Sequence, residues 1–298
     1  MDVSVIIVNY NTLKLTHECI ESVVRESEGI DYEIILVDNA STDGSKEFFE
    51  NYAGIRYIYS EKNGGFGYAN NLGYQSASGK YLFLLNSDTI LLNNALKMFV
   101  DAMESEPETT ACCGCILLDK NRNKTHSYGK FPTLWMKYKE YVVNPILRKF
   151  RYSPGNREYD YARNSDYVDR ITGADLFIRK DVADRYGLFD ERYFMYFEET
   201  DLQKRYSLKG LRSKIVDGPE IVHYAGQSTV KIGSWIGFSS MQKYLRRWNP
   251  GWKFAIYYVG MIVVRIPWVL IFEKKSWADK KKEIGMILRC KGSENEKR

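Results

Sequence analysis

Apolar runs of strand length alternate with helical segments through the first third of the chain. Unbroken apolar strands are typical of strands buried on both faces, and a strand followed by a helix, repeated four times, favours a mostly parallel sheet. The pattern therefore predicts an α/β architecture of the nucleotide-binding type. The predicted strands are VSVIIV (3–8), YEIILV (32–37), IRYIYS (55–60) and KYLFLLN (80–86), and the predicted helices are 12–25, 44–52, 66–77 and 93–105.

A polar cluster follows each of these four strands. Ligands of parallel sheets bind beyond the carboxyl ends of the strands, so four clusters at one edge predict a binding site there. Asn, Asp, Ser and Gly also form turns and helix caps, which is the alternative for any single cluster. The clusters are Asn9-Tyr10-Asn11, Asp38-Asn39-Ala40-Ser41-Thr42-Asp43, Asn63-Gly64-Gly65 and Asn86-Ser87-Asp88.

The middle of the chain loses this order and then regains it. Residues 119–165 are polar and rich in Tyr and Arg with no clean period, which leaves open a loop with short helices or part of an acceptor site. Further on, ADLFIRK predicts a strand, KDVADRYG a helix ending at Gly187, and EETDLQKRYSLKG a helix closing on Gly210. SKIVD and EIVHYA predict two more short strands.

The last part of the chain contains one long apolar segment, from Phe254 to Phe272. It is about long enough to cross a membrane, but Arg265 lies inside it and Pro267 follows, which makes a simple span less favourable. We expect a helix or a broken helical hairpin that lies in the membrane interface, and a helix buried in the globular part is the alternative. The expected interfacial anchors are Trp248, Trp252, Trp268 and Trp277.

The basic charge of the chain is concentrated in the same region. The formal net charge is +5, from 43 basic and 38 acidic residues. Residues 240–298 hold 14 Lys and Arg against 5 Asp and Glu, a net +9, whereas residues 1–239 carry a net −4. Basic residues that bracket an apolar segment indicate an anionic membrane surface rather than nucleic acid.

The cysteines and the N-terminal segment favour a cytoplasmic location. Three of the five cysteines crowd into CCGC, a spacing that fits neither a disulfide framework nor a Cys-x-x-Cys zinc site, so we expect reduced thiols. The short apolar run after Met1 lacks the charged and apolar regions of a signal peptide. We therefore expect the globular part of the chain in the cytosol.

The polar clusters suit a diphosphate held together with a divalent cation. Asp88 is the candidate ligand for the cation, because a carboxylate at the end of a buried strand suits such an ion. Asp38 is a candidate acceptor of hydrogen bonds from a nucleobase or ribose. The segment Asn63-Gly64-Gly65-Phe66-Gly67 leads into a helix N-terminus, where phosphate oxygens can meet free N–H groups. This stretch lacks the Gly-x-Gly-x-x-Gly spacing of a dinucleotide fingerprint.

Six segments of the chain resemble the successive motifs of family 2 glycosyltransferases. Within that family they most resemble the bacterial rhamnosyltransferase-like members that build cell-surface polysaccharide such as O-antigen. The resemblance covers about residues 3–230, in order and with natural spacing. The segments are VSVIIVNYN, VDNASTDGS, NGGFGYANNLGYQSASGKYLFLLNSD, TGADLFIRKDV, GLFDERYFMYFEETDL and VHYAGQS.

The resemblance implies a GT-A fold, which is Rossmann-like, and an inverting transfer from a nucleotide-diphosphate sugar to an acceptor hydroxyl. Asp38 falls where the family contacts the base. Asp88 falls on the last acid of the Asp-x-Asp motif that binds Mg²⁺ or Mn²⁺, and His223 resembles the histidine that completes the metal shell in some members. Glu199 falls on the second acid of the pair that supplies the catalytic base. The set implied for nucleotide-sugar binding is Tyr10, Asn11, Asp38, Asn63, Gly64, Gly65, Asn70, Asn86, Ser87 and Asp88.

Two positions depart from the family pattern. The first position of the metal motif is Asn86, which brings no charge. The base position carries Glu199 where Asp is commoner, with Glu198 and Asp201 close by, so all three acids are candidates for the base. A nucleotidyltransferase with a similar sheet and a non-catalytic subunit that binds nucleotide sugars are the alternatives to a glycosyltransferase.

The resemblance predicts a donor sugar, and the basic, aromatic and apolar C-terminal segment predicts an acceptor class and a location. We expect dTDP-L-rhamnose as the donor, with a UDP-hexose as the alternative, and a lipid-linked glycan as the acceptor. The enzyme would attach peripherally to the cytoplasmic face of the inner membrane, with no nucleic acid as partner. We expect a nucleotide-sugar half at 1–115, an acceptor and catalytic-base half at 116–230, and a helical C-terminal extension at 231–298.

Overall fold

The computed structural model describes most of the chain, as residues 1–149, 166–224 and 234–289. The later part of the polar stretch 119–165, the end of the VHYAGQS segment and Cys290 lie outside these described residues. The chain divides into two compact units. The first unit comprises residues 1–131 and 159–232, and the second unit comprises residues 132–158 and 233–298.

The first unit is built on a mixed sheet. The strands of the described residues are β1 (Val3–Asn9), β2 (Tyr32–Asp38), β3 (Arg56–Tyr59), β4 (Tyr81–Asn86), β5 (Thr89–Leu91), β6 (Thr110–Gly114), β7 (Tyr128–Gly129), β8 (Tyr167–Val168), β9 (Arg170–Ile171), β10 (Asp175–Arg179), β11 (Arg212–Ile215) and β12 (Ile221–His223). Eight of these form one sheet in the order β3-β2-β1-β4-β10-β6-β11-β8, and β12-β5 and β7-β9 form two small sheets. Strands β1 to β4 are parallel, whereas β10 is antiparallel to β4 and β6.

Helices follow most of the strands and also build the second unit. In the described residues they are α1 (Leu13–Glu26), α2 (Ser45–Phe49), α3 (Phe66–Gln75), α4 (Ala95–Ser105), α5 (Leu134–Tyr138), α6 (Asn144–Lys149), α7 (Lys180–Tyr186), α8 (Glu198–Ser207), α9 (Ser234–Trp248), α10 (Gly251–Gly260), α11 (Ile266–Phe272) and α12 (Trp277–Arg289). The same described residues include two π-helical turns, at Lys139–Val143 and Met261–Arg265. The first unit contains α1 to α4, α7 and α8.

Two apolar layers cover the sheet of the first unit, one on each face. Val5 and Ile7 of β1 pack in one layer with residues of α1, α2 and α4, whereas Ile6 packs in the other layer with residues of α3, α7 and α8. Successive strand residues point to opposite faces, so a strand that is covered on both sides must be apolar throughout. This two-sided burial explains the unbroken runs in the sequence, and the predicted α/β fold is confirmed.

Strand β6 was not among the predicted strands, and helix α8 ends earlier than predicted. The cysteines of CCGC lie on or beside β6, where Cys112, Cys113 and Cys115 are buried free thiols. Helix α8 ends at Ser207 rather than at Gly210, because the last turn tightens when the Gly210 N–H donates to the Ser207 carbonyl at 3.1 Å. Gly210 then leaves the turn with a positive φ of 80°.

The second unit contains α5, α6 and α9 to α12. Its longest element is continuous from Gly251 to Phe272, because α10, the π-helical turn and α11 follow one another without a break. Among the described residues this is the one helix whose length and composition would allow it to cross a membrane. The π-helical turn lies just before Pro267, where a proline removes a backbone donor from the helical ladder.

Candidate active site

Three polar side chains end neighbouring strands at the same edge of the sheet. Strand β1 ends at Asn9, β2 at Asp38 and β4 at Asn86, and the register aligns Asn9 with Asp38 and Val8 with Asn86. Asn9 and Asp38 are fully buried. Since buried polar groups need hydrogen-bond partners, the loops that follow these strands have to supply them.

Two donors hold the Asp38 carboxylate. Its Oδ1 accepts the Ser41 N–H at 2.8 Å, and its Oδ2 accepts the Tyr57 hydroxyl at 3.1 Å. Burial, together with the charge of Asp38, raises the pKa of Tyr57 well above its usual range, so this hydroxyl stays protonated and donates. Asp38 is therefore fixed at the end of β2, the position at which the family resemblance puts the base contact.

The loop after β1 is tied to the loop after β2. Asn9 Oδ1 accepts the Thr12 hydroxyl at 2.8 Å, and Asn9 Nδ2 donates to Ser41 Oγ at 3.1 Å. Asn11 has a positive φ of 55°, and its Oδ1 accepts the Thr42 N–H at 2.7 Å. Asn and Asp tolerate this left-handed backbone better than most residues. The two polar clusters predicted after β1 and β2 thus form one connected network.

The glycine-rich turn before α3 is closed by asparagine side chains. Asn39 Oδ1 accepts the Gly64 N–H at 3.1 Å, and Asn63 Oδ1 accepts the Gly65 N–H at 3.0 Å. Asn39 Nδ2 also donates to Asn63 Oδ1 at 2.9 Å. The expectation of free N–H groups along this turn is therefore wrong for Gly64 and Gly65, because their donors are already used inside the protein.

The same turn packs against the segment that precedes α8. Gly65 has a φ of 91°, and a Cβ at this position would lie 2.0 Å from the Phe194 carbonyl oxygen. That carbonyl accepts the Phe66 N–H at 2.9 Å. A Cβ at Gly67 would lie 3.7 Å from Glu198 Cβ. Glycine is therefore required at position 65, where the turn meets the Phe194 carbonyl, whereas the contact of Gly67 with Glu198 is an ordinary van der Waals contact.

His223 and Asp88 meet at the end of β4. Strand β12 pairs with β5 and puts His223 opposite Thr89. His223 Nε2 lies 3.2 Å from Asp88 Oδ1 and 3.4 Å from Asn86 Nδ2. The Asp88 carboxylate is buried, whereas a fifth of the His223 side chain is exposed. The tertiary structure thus brings together the two side chains that the sequence proposed as metal ligands, which lie 135 positions apart.

The donors at this corner fit a divalent cation. Carboxylate, amide oxygen and imidazole are ligands that Mn²⁺ accepts, and Mg²⁺ prefers the oxygen donors. Asn86 Oδ1 is buried and has no hydrogen-bond partner within the described part of the chain, which is costly unless a ligand approaches it. The described residues contain no group of three or more His, Cys, Asp or Glu placed to hold a metal. Two such ligands and one amide oxygen are what this corner offers.

Two of the three acids near the start of α8 are buried. Burial, reinforced by the charge of Glu199, raises the pKa of the Glu198 carboxyl well above its usual range. Asp201 is fully buried, and its Oδ2 lies 3.2 Å from Arg205 Nε while its Oδ1 accepts the Tyr193 hydroxyl at 3.2 Å. Asp201 therefore fixes α8 to its surroundings, and Glu198 favours its protonated form.

Glu199 is the more accessible acid of the pair. Its side chain is 14% exposed, and its Oε1 accepts the Thr200 hydroxyl at 2.8 Å. Arg170 Nη1 lies 3.7 Å from the same oxygen. Just before this acidic turn, Tyr196 and Phe197 both have positive φ values, 67° and 71°. Non-glycine residues in this region cost about 1–3 kcal/mol each, and such strain clusters at functional sites.

A short segment before β10 connects the end of β4 to the acidic turn at the start of α8. The Ala174 carbonyl accepts the Asn86 N–H at 3.0 Å. A Cβ at Gly173 would lie 3.6 Å from both Cβ and Cγ of Glu199. Two adjacent residues therefore contact both places: Ala174 bonds to Asn86, and Gly173 packs on Glu199, the candidate base.

Asp175 is a further buried acid at this edge, and none of the motifs quoted above indicated it. It opens β10 fully buried, and its Oδ2 accepts the Cys115 N–H at 2.7 Å. Burial raises the pKa of this carboxyl to about 6, against the opposing effect of the Cys115 hydrogen bonds and of His223. Within the described ranges its Oδ1 has no hydrogen-bond partner. The available signal was a carboxylate at the head of an otherwise apolar strand in TGADLFIRK.

The remaining predicted donor-site residues lie around this edge. Ser87 Oγ lies 3.3 Å from Thr12 Oγ1, which links the loop after β4 to the loop after β1. Asn70 is buried and donates to the Phe66 carbonyl at 3.0 Å, so it stabilises the first turn of α3. Tyr10 is half-buried in the loop after β1. Their contacts with a substrate stay a prediction.

The fold and the comparison with known families define a glycosyltransferase. Residues 4–185 match the family described as Glycosyl transferase family 2, and the chain belongs to that family. The GT-A fold is further supported by the solved structure of GalNAc-T7 with UDP, GalNAc and Mn²⁺. That structure matches with a TM-score of 0.63 over 96% of this chain and 54% of the other, at 16% identity. At that identity the likeness concerns the fold alone.

Two curated relatives carry rhamnosyltransferase names. The chain is 29% identical over 236 residues to Rhamnosyltransferase WbbL of Escherichia coli, which covers 75% of this chain and 83% of the relative. It is 26% identical over 208 residues to N-acetylglucosaminyl-diphospho-decaprenol L-rhamnosyltransferase of Mycobacterium tuberculosis, covering 66% of this chain and 67% of the relative. The chain is therefore a rhamnosyltransferase-like member of the family.

Proposed function

We propose that the chain is an inverting glycosyltransferase that moves L-rhamnose from dTDP-L-rhamnose to a hydroxyl of a lipid-linked glycan in bacterial surface polysaccharide synthesis. The observation that carries this proposal is that Gly173 and Ala174 link two parts of the site. Ala174 bonds to the end of β4, which holds the Asp88–His223 pair, and Gly173 packs on Glu199 at the start of α8. The names of both curated relatives support rhamnose as the sugar.

Inversion requires one displacement at the anomeric carbon, with a base on the acceptor side and charge stabilisation on the leaving side. Glu199 takes the proton of the acceptor hydroxyl, because Glu198 favours its protonated form and Asp201 is bound to Arg205. Asp38, held by Ser41 and Tyr57, accepts hydrogen bonds from the nucleoside. The asparagine-closed turn at 63–65 shapes the donor pocket beside the acidic segment.

A divalent cation, Mg²⁺ or Mn²⁺, completes the leaving side in this proposal. Asp88 and His223 would hold it, and the unsatisfied Asn86 Oδ1 is available as a neutral oxygen near them. When bound, such an ion stabilises the negative charge of a departing diphosphate. Because Asn86 brings no charge, the imidazole of His223 carries more of the binding than in a site with two aspartates.

A membrane surface fits the exposed face of the helix Gly251–Phe272. Four apolar side chains at spacings of three and four residues lie along one face and are each more than half exposed: Trp252, Ile256, Val259 and Val263. We call these residues the apolar stripe. Residues on the other side of the helix are buried, and among them Arg265 lies 2.5 Å from carboxylate oxygens of Glu273 and Glu283.

This arrangement favours a helix that lies in the interface over one that spans the bilayer. A span would bury Arg265 and its two carboxylate partners in hydrocarbon, which is costly, whereas an interfacial helix buries only its apolar face. The basic excess of residues 240–298 adds attraction to anionic lipids. We therefore propose peripheral attachment to the cytoplasmic face of the inner membrane, where a lipid-linked acceptor would be met.

A panel of nucleotide sugars tests the donor. Thermal unfolding and donor hydrolysis should be measured for the purified chain with dTDP-L-rhamnose, UDP-glucose, UDP-N-acetylglucosamine and GDP-mannose, each with and without Mn²⁺. We expect the largest stabilisation and the fastest hydrolysis with dTDP-L-rhamnose in the presence of Mn²⁺. A clear preference for a UDP-hexose would replace the rhamnose proposal, and binding without any hydrolysis or transfer would favour a non-catalytic subunit.

A further inference from the structure

A cationic side chain, Arg170, lies beside the candidate base, and the fold fixes it there. Gln203 is buried on α8, where its side chain accepts the Ile171 N–H and donates to the Ile171 carbonyl, both at 2.8 Å. The same amide donates to the Glu199 carbonyl at 3.1 Å. Strand β9 is thereby joined to the turn of α8 that carries Glu199. Arg170, which precedes Ile171, consequently places its Nη1 3.7 Å from Glu199 Oε1.

A histidine faces the same guanidinium across a glycine. Strand β7 pairs with β9, and this register sets Gly129 opposite Arg170. A Cβ at Gly129 would lie 3.2 Å from Arg170 Nη2 and 3.5 Å from His126 Nε2. Because Gly129 has no side chain, Arg170 Nη2 and His126 Nε2 both border the space that a side chain at position 129 would fill. His126 thus adds an imidazole to the surroundings of the guanidinium.

The surroundings of the Arg170 guanidinium suit the binding of an anion from a ligand. The Arg170 side chain is only 18% exposed, so little water screens its charge. A guanidinium presents its N–H donors in a planar fork that matches phosphate. Its Nε donates to the Lys130 carbonyl at a long 3.4 Å, and its contact with Glu199 is also long, so neither uses the fork fully.

We infer that Arg170 and His126 bind a phosphate group of the acceptor, next to the hydroxyl that Glu199 deprotonates. This inference rests on the proposed function, in which the acceptor sugar is lipid-linked. A sugar attached to its lipid through a diphosphate carries phosphate close to its own hydroxyls. The bound phosphate neutralises Arg170 and loosens its hold on Glu199, so acceptor binding frees the carboxylate to take the proton.

Paired acceptors separate phosphate recognition from support of the base. Transfer should be measured on N-acetylglucosamine carrying a medium-chain alkyl diphosphate and on the alkyl glycoside of the same chain length, which has no phosphate. The variants are Arg170→Gln, Arg170→Lys and, as matched control, Arg56→Gln, which removes an Arg–Glu ion pair of 3.4 Å at the other side of the sheet. We expect Arg170→Gln to raise KM for the diphosphate acceptor about 10- to 100-fold.

The other substrates and variants should show smaller effects. KM for the alkyl glycoside and for the donor should change less than about threefold in Arg170→Gln, Arg170→Lys should recover part of the loss, and Arg56→Gln should behave as the unmodified chain. An equal loss on both acceptors would show that Arg170 only positions Glu199, and an unchanged KM for the diphosphate acceptor would also overturn the inference.

A binding measurement decides the inference without turnover. With the donor site saturated by dTDP and Mn²⁺, titration of inorganic pyrophosphate by calorimetry should show binding that is weakened at least about tenfold in Arg170→Gln and unchanged in Arg56→Gln. Absence of pyrophosphate binding to the unmodified chain would overturn the inference. If no acceptor and no donor is turned over, the proposed function fails, while this titration still tests the phosphate site.

Discussion

The two units of the chain bury and expose opposite kinds of side chain. The first unit buries ionisable groups at the carboxyl edge of its sheet, and each of them is at most 5% exposed: Asp38, Asp88, Asp175, Glu198 and Asp201. The second unit exposes the apolar stripe, whose members are at least 55% exposed. Both arrangements cost free energy in water, since burial desolvates a carboxylate and exposure hydrates an apolar surface.

This contrast agrees with what each unit is proposed to bind. Buried carboxylates persist where a ligand or a proton compensates them, and perturbed acids cluster at functional sites. Contiguous exposed apolar side chains mark a surface that another apolar phase covers. The one buried cation described in the stripe helix, Arg265, is neutralised by Glu273 and Glu283, so this charge is satisfied within the second unit. In the proposed function, the first unit therefore binds the small polar ligands and the second binds a lipid surface.

The sharpest test of the contrast lies between two neighbouring acids of the first unit. We expect Glu199→Gln to lower turnover about 10²- to 10⁴-fold while leaving donor binding nearly intact, because only the proton acceptor is lost. The control is Glu198→Gln, which mimics the protonated form that burial favours and should retain most activity. Steady-state transfer assays and donor titrations measure both. Full activity in Glu199→Gln would remove that residue from the mechanism.

The Asp88–His223 corner should show a smaller but specific effect. We expect His223→Ala to raise the Mn²⁺ concentration needed for half-maximal activity at least about tenfold, because the loss of even a side chain that only orients a metal ligand costs about 10- to 100-fold and His223 is proposed as a direct ligand. His17→Ala, on α1 with a side chain that is 38% exposed, is the matched control. If metal-dependent activity is untouched in His223→Ala, the corner does not hold the ion.

The second unit is tested by removing apolar surface from the stripe. We expect the double substitution Ile256→Ser and Val263→Ser to weaken binding to anionic vesicles at least about tenfold, since each side chain would otherwise leave water. Flotation with phosphatidylglycerol-containing vesicles measures the effect. The matched control is Leu208→Ser with Val24→Ser, which removes comparably exposed side chains from the first unit. Equal weakening by both pairs would erase the contrast between the units.

The smallest expected effect concerns the stability cost of a buried acid. The pKa of Asp175 is raised to about 6 in the folded protein, above its value of about 3.9 in an unfolded chain. The folded state therefore binds more protons between these values, and stability is lost as pH rises through about 6. We expect Asp175→Asn to flatten this dependence and to raise Tm by a few degrees at pH 7.

Thermal unfolding of metal-stripped protein from pH 4 to pH 7.5 measures this difference. Glu104→Gln, which alters an exposed acid on α4 that pairs with Lys80 at 2.5 Å, controls for a general effect of charge removal. If the Tm of Asp175→Asn follows the same pH profile as that of the unmodified chain, ionisation of Asp175 does not lower the stability of the folded state.

Much of the fold follows from local patterns in the sequence. The first four strands and helices of the first unit lie within a few residues of their predicted positions, because two-sided burial and helical periodicity are visible in a single chain. The antiparallel direction of β10 was not predictable in this way. Its direction depends on pairing with β4 and β6, which are far from it in the chain.

The candidate site was predictable in part for the same reason. Asp38 and Asp88 can be recognised in the sequence, because each is a polar residue at or just beyond the end of an apolar strand. Asp175, Arg170 and Gln203 were hard to predict, because an acid at a strand start, an arginine in a short strand and a helical amide are common in proteins. Their significance depends on what lies opposite them, which in each case is a residue at least ten positions away.

The sequence by itself determined the apolar layers, the polar edge and the basic, apolar character of the C-terminal segment, because these are properties of composition and period. Only the tertiary structure decided that His223 meets Asp88, that Gln203 holds Arg170 beside Glu199, and that one face of the helix Gly251–Phe272 is left exposed. The physical reason is that contact between distant residues depends on strand order and packing, and neither is encoded in any short stretch of chain.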